Sequence, residues 1–212
     1  MRYYANPSTQ RVRDLMSSGQ LGCIITPAQG NKVPDGATYC ADNGAYGKGY
    51  PGDAAWWGWL QRQVTRWGAG RCAFAVAPDV PFDAVGTLDR SLSWLPQIRA
   101  LGVPAALAVQ DGQESLAMPW DVVDVLFVAG TTEWKLGRHA RRLVADAKRL
   151  GKAVHMGRVN SGRRFRYAAA IGCDSADGTT LAQYPDATLP DVLGWLNDPQ
   201  PALALDFSEV PS

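Results

Sequence analysis

Eight short apolar runs recur along the chain, each closed by a turn and most followed by a helical pattern: "RYYANPS", "LGCIITPA", "TYCADNGAY", "RCAFAVAPD", "PAALAVQDG", "VDVLFVAGT", "KAVHMGRV" and "IGCDSADGT". Strands that are apolar at consecutive positions suit a parallel sheet covered on both faces, because each face of the pleat must find an apolar neighbour. Eight of them alternating with helices predict a compact (β/α)8 TIM barrel, a single α/β domain over residues 1–198 with a C-terminal tail at 199–212. A doubly wound open sheet would give a similar alternation and is the competing architecture. A length of 212 residues fits one domain of either kind.

The intervening segments carry a helical period. Trp56, Leu60, Val64 and Trp67 share one face between Asp53 and Trp67, as do Leu136, Ala140, Leu143, Ala147 and Leu150 further on. Gly68, Gly102 and Gly151 stand where helices end in a left-handed turn. One connection differs: "QGNKVPDGA" is too short and too rich in Gly and Pro for a helix.

Hydrophobic residues make up 46% and charged residues 19%, with a net charge of +1, which excludes a disordered or generally basic chain. No run reaches the roughly 18 apolar residues of a membrane span, and "MRYYANPST" lacks the apolar stretch of a secretion signal. A cytoplasmic protein without membrane contact is expected. Cys23, Cys40, Cys72 and Cys173 lie apart in apolar surroundings, as buried free thiols do, and His139 and His155 are near none of them. No metal or cofactor is expected, and neither histidine is given a chemical role.

In a parallel barrel the reactive groups sit where strands end. Here those ends read Asp42-Asn43-Gly44, Pro78-Asp79, Gln110-Asp111-Gly112, Ala129-Gly130-Thr131, Met156-Gly157-Arg158 and Asp174-Ser175-Ala176-Asp177-Gly178. Any one Asp or Gly there is explained by turn and cap chemistry. Carboxylates from several strand ends at one mouth ask for more. One ionised carboxylate can attack an anomeric carbon while a second group manages protons, and close carboxylates push their pKa values apart. Gln110, Asp79 and backbone N–H groups near Gly130 offer donors and acceptors for the flat edge of a nucleobase.

The order of these motifs resembles the tRNA-guanine transglycosylases and their DNA-acting phage relatives, TIM-barrel enzymes that exchange guanine for a 7-deazaguanine. The family's Asp-Ser-Gly-Gly-aromatic turn is similar to "DNGAY", with Ala45 in place of the second glycine; later motifs are similar to "APD", "VQDG" (Asp111 replacing a glycine), "VAGT", "HMG" and "GCDSAD", together spanning residues 40 to 178. The resemblance implies that Asp177 is the nucleophile toward C1′ and Asp42 the general acid/base. It also implies that Asp79 and Gln110 read the base with help from the Gly130 backbone, and that Tyr46 and Met156 sandwich it. Asp174 is expected to secure its loop rather than react.

The tRNA enzymes carry a zinc subdomain after the nucleophile and a Pro-Thr-Arg continuation, whereas "DGTTL" follows here. The resemblance is therefore to the phage enzymes that insert bases such as preQ0 into DNA to evade restriction, in the host cytoplasm. DNA, or else tRNA, and a free 7-deazaguanine base are the expected partners. A base inside a duplex must leave the stack before it reacts. "GRVNSGRRFRY" supplies Arg158, Arg163, Arg164 and Arg166 for backbone phosphates, while Arg138, Arg141 and Arg142 read as a solubilising helix flank. "TTEWKLG" brings Glu133, Trp134 or Lys135 near the mouth. A nucleoside hydrolase or DNA glycosylase would use the same carboxylates, and a non-catalytic nucleotide-binding barrel is a third possibility.

Overall fold

The computed structural model describes residues 1–47 and 49–198, so the expected tail at 199–212 lies outside the described residues. Eight parallel strands close on themselves in sequence order: β1 (Arg2–Ala5), β2 (Gly22–Ile25), β3 (Tyr39–Ala41), β4 (Cys72–Val76), β5 (Ala105–Val109), β6 (Val125–Val128), β7 (Ala153–Met156) and β8 (Ser175–Asp177). Each lies in one of the eight apolar runs. Pairing of β1 with β8, Tyr4 opposite Asp177, closes the cylinder and decides against the open sheet.

Around it run α1 (Gln10–Ser17), α2 (Asp53–Trp67), α3 (Ala84–Ser91), α4 (Leu95–Ala100), α5 (Thr132–Leu136), α6 (Arg138–Arg149), α7 (Gly162–Ala170), α8 (Thr180–Gln183) and α9 (Pro185–Asn197). Side chains of Thr9, Asp83, Thr131 and Ser161 cap α1, α3, α5 and α7 by accepting from backbone N–H groups three residues on. Positive φ at Gly68, Gly102 and Gly151 turns the chain after α2, α4 and α6.

Two expectations need correction. The single helix anticipated over residues 136–150 is broken at Gly137, which is extended (ψ 175°) and separates α5 from α6; glycine is a poor helix former. The β2–β3 connection lacks a helix as expected, but the β5–β6 connection has only a 3-10 turn, Gln113–Ser115.

Strand parity divides the core. Tyr4, Ile24, Cys40, Phe74, Val76, Ala106, Ala108, Val125 and Phe127 fill the barrel interior. Their neighbours, among them Tyr3, Ile25, Tyr39, Leu107, Leu126, Val154, Met156 and Ala176, pack outward against the helices. Gly22 makes room for the interior ring of Tyr4: a Cβ there would lie 2.3 Å from Tyr4 Cδ1. All four cysteines are buried free thiols. Among the described residues no helix is long and apolar enough to cross a membrane.

Candidate active site

A cavity of about 350 Å³ opens at the carboxyl ends of the strands. Val76, Ala108 and Phe127 form an apolar base, and Asp42, Asn43, Asp79, Gln110, Gly157 and Asp177 bring polar groups to it. Thr26, Ala28 and Gln29 of the helix-free β2–β3 connection line one side. Such a cavity, mostly apolar with a few converging polar groups, is the usual form of a small-molecule site.

Asp42 ends β3. Its Oδ1 accepts from Gly44 N at 2.7 Å, closing a turn that Gly44 permits by its φ of 80°. Burial raises the Asp42 pKa from 3.8 to about 7; the Gly44 hydrogen bond opposes this, and the charges of Asp177 and Asp79 add to it. Asp79, in the loop after β4, is held by two amides: Asn43 Nδ2 donates to Oδ1 at 2.8 Å and Gln110 Nε2 to Oδ2 at 2.6 Å. Burial pushes its pKa up as well, against the pull of these donors. Gln110 Oε1 in turn accepts from Phe82 N at 3.1 Å, so its amide orientation is fixed at both ends.

Asp177, the last residue of β8, lines the cavity with its side chain only 13% exposed. Its Oδ1 lies 3.0 Å from His155 Nε2, and His155 Nδ1 lies 2.8 Å from Ser175 Oγ. His155 is wholly buried in the interior, with ring centroids of Phe127, Phe74 and Tyr4 at 4.7, 5.0 and 5.9 Å. Lys135 Nζ donates to Gly157 O at 2.6 Å from a buried position. Burial, reinforced by the charge of Arg158, lowers the Lys135 pKa to about 7.

Arg158 and Phe82 are the two non-glycine residues with positive φ among those described, 59° and 68°, and both stand at the mouth. Backbone strain of this kind collects at functional sites. Arg158 Nη2 donates to the carbonyls of Ala129 and Gly130, and its guanidinium lies over the exposed Tyr46 ring at 4.3 Å. Tyr46 and Phe82 meet edge to face at 6.0 Å.

Of the residues singled out from sequence, Asp42, Asp177, Asp79, Gln110, Tyr46 and Arg158 share this cavity. Met156 does not: it faces the helices, because the inward position on β7 belongs to His155. Met156 therefore cannot stack on a ligand. Gly130 also stands outside the lining, with its N–H donated to Val109 O at 3.2 Å and so spent in the barrel ladder. Its missing side chain serves packing, since a Cβ would come within 2.5 Å of the Trp134 ring. Arg163, Arg164 and Arg166 lie on α7, whose first turn holds the first two; Arg166 sits 3.9 Å from Asp198.

Asp174 is at the other end of the barrel, where Oδ2 accepts from Val154 N at 2.8 Å and the carboxylate pairs with Lys148. It secures its loop, as expected. Asp111 likewise holds the β6 end, accepting from Thr131 N and Oγ1. Histidine was given no part in the sequence reading, yet His155 is the direct neighbour of Asp177. Period-2 alternation puts Val154 and Met156 on one face of β7 and His155 on the other, without saying which face is inward.

No family model matches the chain, and neither does any curated protein. Among solved structures it is similar to the BexX/CysO complex of Amycolatopsis orientalis, at 14% identity and a TM-score of 0.49 over 96% of this chain and 94% of that one. It is similar to 2,3-dimethylmalate lyase, a member of the PEP mutase/isocitrate lyase superfamily, at 13% identity and a TM-score of 0.49 over 98% and 86%. A mandelate oxidase mutant follows at 13% identity and a TM-score of 0.35 over 92% and 70%. None of the three is a transglycosylase by name.

Proposed function

We propose that this chain is a base-exchange glycosyltransferase that replaces guanine in DNA with a 7-deazaguanine of the preQ0 type. The observation that carries the reading is one shared cavity: Asp42 with its raised pKa and Asp177 with an unengaged oxygen, together with the Asp79–Gln110 pair. A carboxylate that titrates near 7 can give and take a proton in one turnover.

In the first half-reaction a carboxylate oxygen of Asp177 bonds to C1′ as the C1′–N bond to guanine breaks. Protonated Asp42 delivers its proton to the departing base. In the second half the deazaguanine ring nitrogen attacks C1′, Asp42 takes the proton released from that nitrogen, and Asp177 leaves as the free carboxylate. Proton and electron pair are thus restored.

Each oxygen of Asp79 accepts one amide hydrogen bond and keeps lone pairs for more, which suits the paired N–H donors on the edge of guanine. Tyr46 supplies a ring at the mouth for stacking. Arg163 and Arg164 put two cations in the first turn of α7, where the helix dipole disfavours them, a placement that a phosphate would relieve.

The test is incubation with labelled guanine or preQ0 and, separately, duplex DNA, single-stranded DNA or tRNA. Label is expected in DNA and absent with Asp177→Asn or Asp42→Asn. Label in tRNA alone would overturn the substrate. Release of base without incorporation would mean a glycosylase, and neither outcome with any polymer would end the enzymatic reading.

A further inference from the structure

We infer that His155 is a positioning residue that fastens Asp177 through Oδ1 and so assigns Oδ2 as the attacking atom. The reacting step rests on the transglycosylase reading above; the positioning does not.

An ionised carboxylate only accepts hydrogen bonds, and a neutral imidazole carries one donor and one acceptor. The contact of His155 Nε2 with Asp177 Oδ1 at 3.0 Å therefore needs the proton on Nε2. Nδ1 is then the acceptor, and Ser175, two residues before Asp177 on the same face of β8, donates its hydroxyl at 2.8 Å. Ser175 fixes the tautomer, and the tautomer fixes the carboxylate. The imidazole cannot turn away, since Tyr4, Phe74 and Phe127 enclose it and it has no exposed surface.

Oδ2 makes no hydrogen bond among the described residues. One oxygen is anchored and the other keeps its lone pairs free.

The order Ser175–His155–Asp177 imitates a hydrolytic triad, but neither Ser175 nor His155 lines the cavity. Ser175 Oγ has no substrate to attack, and in this chain of contacts the carboxylate is the outermost group.

Two measurements decide the matter. Long-range ¹H–¹⁵N spectra of the intact protein labelled at histidine show two imidazoles, and His139→Gln identifies which belongs to His155. The proton is expected on Nε2; a bare Nε2 overturns the inference whatever reaction the protein performs. In the base-exchange assay, His155→Gln, which keeps an N–H donor, should retain kcat within about tenfold. His155→Phe, which removes it, should lower kcat about 100-fold with KM for the polymer little changed, a loss of the size seen when a group orienting a reactive centre is removed. Should His155→Phe fail to fold, Ser175→Ala substitutes for it, with kcat reduced and the Nε2–H signal weakened. Equal kcat for all variants in an active preparation overturns the inference. An inactive wild type with Nε2 protonated overturns only the transglycosylase reading.

Discussion

Replacing Asp42 by Asn should make the protein more resistant to denaturation in alkali while abolishing base exchange. Asn keeps the oxygen that accepts from Gly44 N and removes the charge that burial opposes. The carboxyl has its pKa raised from 3.8 to about 7 in the folded protein. Between those values the native state holds a proton that the unfolded chain has released, so stability falls as pH rises through the window and levels off above it. Moving from near pH 5 to near pH 8.5 crosses about two pH units of that window, and at about 1.36 kcal/mol per unit the wild type should lose roughly 3 kcal/mol more than Asp42→Asn. Asp79, also raised, is present in both proteins and cancels to first order. Urea unfolding followed by the fluorescence of the eight tryptophans measures the difference at each pH. Parallel stability curves for the two proteins would refute the claim that Asp42 is an uncomfortable buried acid, and with it the proton-carrying role.

Gly22→Ala should destabilise by about 2–3 kcal/mol in the same unfolding assay, because the added methyl meets the interior ring of Tyr4 at 2.3 Å; an unchanged midpoint would show that the ring can move aside. The double variant Arg163→Ala, Arg164→Ala should bind duplex DNA more weakly, and the slope of log K against log salt should become shallower by about 1.8 if both side chains neutralise phosphates. Fluorescence anisotropy across a salt series reads this directly, and an unaltered slope would make the two arginines solubilising only.

The parallel strands were legible because strands covered on both faces leave continuous apolar runs such as "AALAV" and "VLFV", while closure into a barrel rather than an open sheet came only with the β1–β8 pairing. Asp42, Asp79, Gln110 and Asp177 were legible for the complementary reason, as polar residues at the end of such a run, where burial gives way to the mouth. Met156 was read as facing the site, whereas the inward position belongs to His155, which was given no role. Adjacent residues on one strand face opposite sides, and nothing local in "AVHMG" says which faces inward until β7 pairs with β6 and β8. Gly130 misled because a glycine that admits a tryptophan ring looks in sequence like one that admits a ligand. The Asn43 bridge to Asp79 and the reach of Arg158 over Tyr46 depend on side-chain directions that spacing alone does not carry.

Strand β8 is three residues long, yet it has a fastening at its foot and a cavity-lining carboxylate at its head. Lys148 and the Val154 amide grip Asp174 at the end of the barrel opposite the cavity, and from there the chain has only two residues in which to reach Asp177. The height of the Asp177 carboxylate is thus set from the floor of the cylinder. A surface lysine far from the cavity becomes part of the alignment of Asp177, and an inserted residue in β8 would aim that side chain into the helical shell instead of the mouth.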